Sequence, residues 1–155
     1  MSDPRCQRGY YGIGIVLPKY EVNIGTLCRS AYAFGASFIF TIGERYKKQN
    51  SDTTKSWRHI PILRFSTEDE CWRAIPYDCV PIGIERSEMA LDLPQFAHPQ
   101  RAVYFLGPED GNLPTRIAER CKVILNIPSV HCLNVSVAGS VVLYDRVSKT
   151  KQVER

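Results

Sequence analysis

Short apolar runs alternate with stretches of helical period along this chain, and that alternation points to an α/β fold: a mostly parallel sheet with helices on both faces. Ile13, Ile15, Val16 and Leu17 form a run stopped by Pro18, which predicts a buried strand over 12–17. Residues 37–42, 62–65, 80–84, 101–106 and the run from Ile124 to Ile127 read as further strands. Pro81 argues that its strand lies at an edge or begins late. Between them, Ile24, Leu27, Cys28 and Ala31 repeat at 3.6 residues, in a helix opened by Asn23 and closed by Gly35. Thr67 and Glu70 fit a capping box for a helix running to about Ala74. Pro114 suits the first turn of a helix ending near Cys121. Asn134, a good N-cap, opens a last helix whose apolar pattern ends near Val147. Residues 92–100 read as a Pro-containing connection. With no repeat or long linker, the expected organisation is one domain over 12–147, a loose arm over 1–11 and a tail over 148–155.

Composition narrows the class. The chain has 155 residues, 44% hydrophobic and 23% charged, as in an ordinary globular domain. No apolar run approaches the roughly 18 residues of a membrane span, and the first ten residues lack a signal-peptide core, so a cytoplasmic location is expected. A net charge of +4 is compatible with a nucleic-acid partner without requiring one. The six cysteines include no C-x-x-C pair, and His59, His98 and His131 have no metal-like partners nearby. Reduced thiols, structural or surface histidines and no metal are therefore expected. Trp72 is expected in the core. Residues 43–58 mix Arg45, Lys47, Lys48, Lys55 and Arg58 with Tyr46 and Trp57, which fits either a solvated loop or one that contacts RNA.

Ligands of open α/β sheets bind beyond the carboxyl ends of the strands, here the loops after Ile84, Leu106 and Ile127. Gly12 and Gly14 do not make a dinucleotide fingerprint, because Leu17 stands where the third glycine belongs. Glu109, between Gly107 and Gly111, reads either as a solvated turn carboxylate or as part of a site.

Three stretches together carry a family resemblance. Asn23-Ile24-Gly25-Thr26-Leu27-Cys28-Arg29-Ser30-Ala31, followed by Phe34-Gly35, resembles the first motif of the SpoU (TrmH-like) RNA ribose methyltransferases of the SPOUT superfamily. Phe105-Leu106-Gly107-Pro108-Glu109-Asp110-Gly111-Asn112-Leu113-Pro114 resembles the second. Ile127-Pro128, with Cys132-Leu133-Asn134-Val135-Ser136-Val137-Ala138, resembles the third. The resemblance implies a C-terminal deep trefoil knot, which no periodicity could give. It also implies a homodimer and transfer of a methyl group from S-adenosylmethionine to a ribose 2′-hydroxyl of RNA.

By position, the resemblance places cofactor contacts on Ile84, Glu85, Gly107, Ile127, Cys132 and Leu133. It makes Arg29 the catalytic arginine, with Asn23, Glu109 and Asn134 as polar partners that fix Arg29 and the ribose. Glu109 is expected to orient the Arg29 guanidinium through paired hydrogen bonds. Two departures stand out. Cys132 occupies a position that is usually Ser, and no additional RNA-binding domain is expected. That minimal build is similar to small tRNA ribose methyltransferases and favours tRNA. The same chemistry on rRNA and a catalytically silent RNA-binding dimer are the alternatives.

Overall fold

Along β1 (Tyr10–Val16), Tyr11, Ile13 and Ile15 alternate with Gly12 and Gly14, so the middle of the strand projects bulk from one face only. On the bare face, rings from β2 (Phe38–Ile42) fill the space: a Cβ on Gly12 would lie 2.3 Å from Phe38, and one on Gly14 2.4 Å from Phe40. Phe40 meets Phe105 edge-on at 5.2 Å, and Phe105 stacks on Trp72 at 5.0 Å, so Trp72 does pack against the core. Gly14→Ala is therefore expected to lower stability by about 1–3 kcal/mol through overpacking. Equilibrium urea unfolding checks this; an unchanged midpoint would contradict the close fit.

The computed structural model describes residues 9–46 and 58–153. Most of the expected arm, residues 47–57 of the basic loop, and Cys6 lie outside them. The other strands are β3 (Ile62–Phe65), β4 (Val80–Ile84), β5 (Leu91–Asp92), β6 (Arg101–Leu106) and β7 (Val123–Asn126). All seven form one sheet in the order β3-β2-β1-β6-β4-β7-β5, and every recorded pairing is parallel. Helices α1 (Glu21–Ala33) and α4 (Val135–Val153) cover one face, where Leu27, Ala31, Val142 and Leu143 bury against Tyr11, Ile13, Tyr104 and Leu106. Helices α2 (Glu68–Ala74) and α3 (Thr115–Ala118) cover the other, with Cys71 and Ile117 beside Phe40, Val103 and Phe105. The α/β layering expected from the alternation is present.

Several boundaries differ, each for a local reason. β1 starts at Tyr10 because the strand extends to pair with Arg101 on β6. β4 is neither at an edge nor late; it lies between β6 and β7. Pro81 directs its carbonyl to the Lys122 amide at 2.8 Å, so its missing N–H faces the side where the β7 ladder has not yet begun. The two-residue strand β5 overlaps the start of the expected connection, followed by a 3-10 turn, Leu93–Gln95. The capping box is real on one side, with the Glu70 amide donating to Thr67 Oγ1 at 3.3 Å. Its other half reaches one residue further back, to the amide of Ser66.

Helix α4 continues past Val147 through Val153. A buried polar cluster holds it to the segment before β6. Arg146, 2% exposed, donates to the carbonyls of Pro99 and Gln100 and to Tyr104 Oη, and lies 4.1 Å over the Tyr11 ring. Tyr104 Oη is 2.6 Å from His98 Nδ1, and His98 Nε2 is 2.8 Å from Asp145. Burial lowers the His98 pKa against the pull of Asp145, so His98 is structural, as expected. Among the described residues the cysteines are free, and burial pushes the thiols of Cys71 and Cys121 up to about 12. Among those residues, too, no helix is long and apolar enough to cross a membrane.

Candidate cofactor and catalytic site

A parallel register brings the loops that follow β1, β2, β4, β6 and β7 to one edge of the sheet. From the β6 loop, Glu109 reaches the start of α1. Its carboxylate accepts from the amides of Lys19 at 2.9 Å and Tyr20 at 3.2 Å, and from Asn23 Nδ2 at 2.8 Å. A negative side chain thus takes up donors that the first turn of a helix leaves unpaired. Burial raises the Glu109 pKa, but the bonds from Asn23 and the two amides outweigh it and hold the carboxyl below its ordinary value.

This arrangement corrects the expected start of α1. Asn23 is not its cap; the helix begins at Glu21 with Tyr20 at the cap position, and Asn23 is buried in the first turn. Its Oδ1 instead accepts from Asn134 Nδ2 at 3.1 Å. Asn134 is the cap expected for the last helix: its Oδ1 accepts from the amides of Ser136 at 2.9 Å and Val137 at 3.3 Å, and from Ser136 Oγ. Glu109, Asn23 and Asn134 therefore form one chain of hydrogen bonds joining three loops.

A second tie lies beside it. Asp110 accepts both ends of the Arg45 guanidinium, at 2.7 and 3.1 Å, with Lys19 Nζ at 3.6 Å. The bonds from Arg45 hold the Asp110 carboxyl down to about 2. Arg45 Nε also donates to the carbonyl of Leu17, a non-glycine residue at φ +53° where the chain turns out of β1. Such left-handed residues persist only where their surroundings hold them.

Behind these ties opens a cavity of about 460 Å³. Ile84, Leu106, Ile127, Leu133, Val135 and Ala138 form its apolar wall. All six residues expected to hold a cofactor line it, and so do Glu109 and Asn134. Glu85 has a defined role in the wall: Oε2 accepts from the Leu113 amide at 2.5 Å and Oε1 from the Arg86 amide at 3.1 Å. This folds the β6 loop onto the end of β4. Gly107 permits that fold, since a Cβ there would lie 2.8 Å from the Leu113 amide nitrogen. Asn23 does not line the cavity but braces two residues that do.

Arg29 lies elsewhere, on the exposed side of α1, and among the described residues its guanidinium has no hydrogen-bond or ion-pair partner. The expected pairing with Glu109 is not formed, because both carboxylate oxygens are taken by the Lys19 and Tyr20 amides and by Asn23. The sequence pattern assigned no site role to Asp110 or Arg86 and placed Arg45 only in the basic loop. Asp110 sits inside the second motif and could have been found there; Arg86 carried no local signal. Among the described residues no cluster of three or more His, Cys, Asp or Glu could hold a metal.

Residues 12–144 match the SpoU rRNA Methylase family. Over 136 residues, 79% of this chain, the sequence is 24% identical to mouse tRNA (guanosine(18)-2′-O)-methyltransferase TARBP1, and it spans 8% of that protein's length. The fold superposes with a TM-score of 0.80 on the SpoU methyltransferase AviRb from Streptomyces viridochromogenes in complex with AdoMet, at 22% identity, covering 93% of this chain and 62% of that one. It superposes equally well, with a TM-score of 0.80, on the TrmH/SpoU tRNA modifying enzyme of A. aeolicus, at 17% identity over 97% of this chain and 82% of the other.

Proposed function

Because this chain belongs to the SpoU rRNA Methylase family, we propose that its strand-end cavity binds S-adenosylmethionine and that it methylates a ribose 2′-hydroxyl of RNA, with tRNA favoured over rRNA. The observation that carries this reading is the hydrogen-bonded chain from Glu109 through Asn23 to Asn134 at the border of the cavity. The cavity also fits the cofactor chemically. Its volume is in the range of small-molecule sites, and it offers an apolar wall for an adenine with polar groups for an amino-acid moiety. The mouse relative, a tRNA 2′-O-methyltransferase by name, supports tRNA and ribose specificity.

When bound, the cofactor supplies an electrophilic methyl group on its sulfonium sulfur. The residues of the chain align the acceptor and manage its charge. Glu109 and Asn134 fix the loops between which the ribose enters, and such alignment is worth on the order of 7 kcal/mol or more. The Arg29 guanidinium acts as a cation rather than a base. It holds the neighbouring phosphate and stabilises negative charge developing on the 2′-oxygen.

The reading extends to architecture, location and assembly. In it the C-terminal helix passes through a chain loop as a trefoil knot. Support comes from β7, which follows β5 in sequence yet lies between β4 and β5. A cytoplasmic homodimer completes the proposal. On the paired helices, Val22 and Tyr144 are 72% and 62% exposed, apolar surface that a second copy would cover.

Transfer of labelled methyl from S-adenosylmethionine to total small RNA, followed by nucleoside analysis, tests the function. A 2′-O-methylated nucleoside in tRNA is expected. Label confined to rRNA would move the substrate, and cofactor binding without any transfer would favour the silent RNA-binding dimer.

A further inference from the structure

We propose that Arg86 receives the carboxylate of the cofactor's amino-acid moiety, an inference that rests on the cofactor reading above. Arg86 follows β4 and lines the cavity, with Nη1 3.9 Å from Cys132 Sγ on the β7–α4 loop. Among the described residues that line the cavity it is the one cation.

Both carboxylates of the cavity wall have other partners. Glu85 accepts from the amides of Leu113 and Arg86, and Glu109 from Lys19, Tyr20 and Asn23. Neither pairs with the Arg86 guanidinium, whose side-chain contact among the described residues is the Cys132 thiol, a weak acceptor.

S-adenosylmethionine carries a sulfonium, an ammonium and a carboxylate. The field of Glu85 and Glu109 favours the two cationic groups and opposes the anionic one. A carboxylate placed in this cavity therefore needs a cationic donor, and the planar fork of a guanidinium matches its two oxygens. Arg86 is the group in position to supply it. The same contact accounts for Cys132 in place of Ser: the neighbouring guanidinium, rather than a hydroxyl, provides polar donors on that side.

Calorimetry with S-adenosylmethionine and with its decarboxylated form separates this contact from general effects on the cavity, without any methyl transfer. The parent protein is expected to bind the complete cofactor at least about tenfold more tightly than the decarboxylated one. Arg86→Gln should weaken binding of the complete cofactor about tenfold and leave the decarboxylated form unchanged or slightly improved. Equal losses for both would show that Arg86 shapes the cavity without meeting the carboxylate, and would overturn the proposal. No loss for either, with weaker RNA binding, would overturn it in favour of a phosphate contact. A parent protein that binds neither form would refute the cofactor reading itself, a result distinct from an unresponsive variant.

Discussion

Arg29→Ala is expected to reduce methyl transfer by about 100-fold or more while leaving cofactor affinity within about twofold of the parent value. Arg29 is exposed and, among the described residues, has no partner, so its removal costs the fold little. It does not line the cavity, so the cofactor should bind undisturbed. In the proposed reaction the variant loses a positive charge that would stand beside the ribose, and losing one such stabilising group typically costs 100- to 1,000-fold, about 3–4 kcal/mol. Single-turnover transfer, paired with calorimetry of the cofactor, separates the two effects. Full activity in the variant would remove Arg29 from the catalytic assignment. Arg29→Lys adds resolution: it keeps the charge but loses the fork, so partial recovery is expected if one phosphate oxygen is the main contact.

Glu109→Ala should act on both stability and activity. The substitution leaves the buried Asn23 side-chain amide and the Lys19 and Tyr20 amides without their acceptor, a loss of about 2 kcal/mol. Methyl transfer is expected to fall about 100-fold, because Asn23 then no longer anchors Asn134 against the cavity. The stability difference should depend on pH in a fixed direction. The folded-state pKa of Glu109 lies below its ordinary value, so its contribution is complete above the unfolded value of about 4.3 and disappears as pH falls through the folded value. Urea unfolding of parent and variant at pH 7 and pH 3 checks the sign. The gap between them should narrow in acid. A gap of equal size at both pH values would assign the loss to packing rather than to the ionised carboxylate.

Much of the fold could be read from local pattern, because period and punctuation are local. The strand over Arg101–Leu106 and the Asn134 cap are where the sequence places them. The errors came from partners distant in sequence. Asn23 looks like a cap because an Asn before an apolar stripe usually is one. Here the start of α1 has its acceptor from Glu109, and Asn23 is free to serve as a brace. Pro81 looks like an edge residue because a local reading cannot know that its neighbour strand starts one residue later. β5 is too short to have a period at all. At the site, the second and third motifs supply most of the cavity wall, whereas Arg86 is a single cation after a strand and Arg45 one of several in a basic loop. Nothing near them in sequence separates such residues from ordinary solvated ones.

The bonds that join Asn23 to Glu109 and Asn134 span 86 and 111 residues. The site therefore reports on its own completeness. A chain emerging from the ribosome holds its first motif long before the third has been made, and until α4 docks, Asn23 has half its partners. Such long-range closure comes late in folding. An immature chain thus has no closed cavity. Assembly of the last third of the sequence is the event that completes the site.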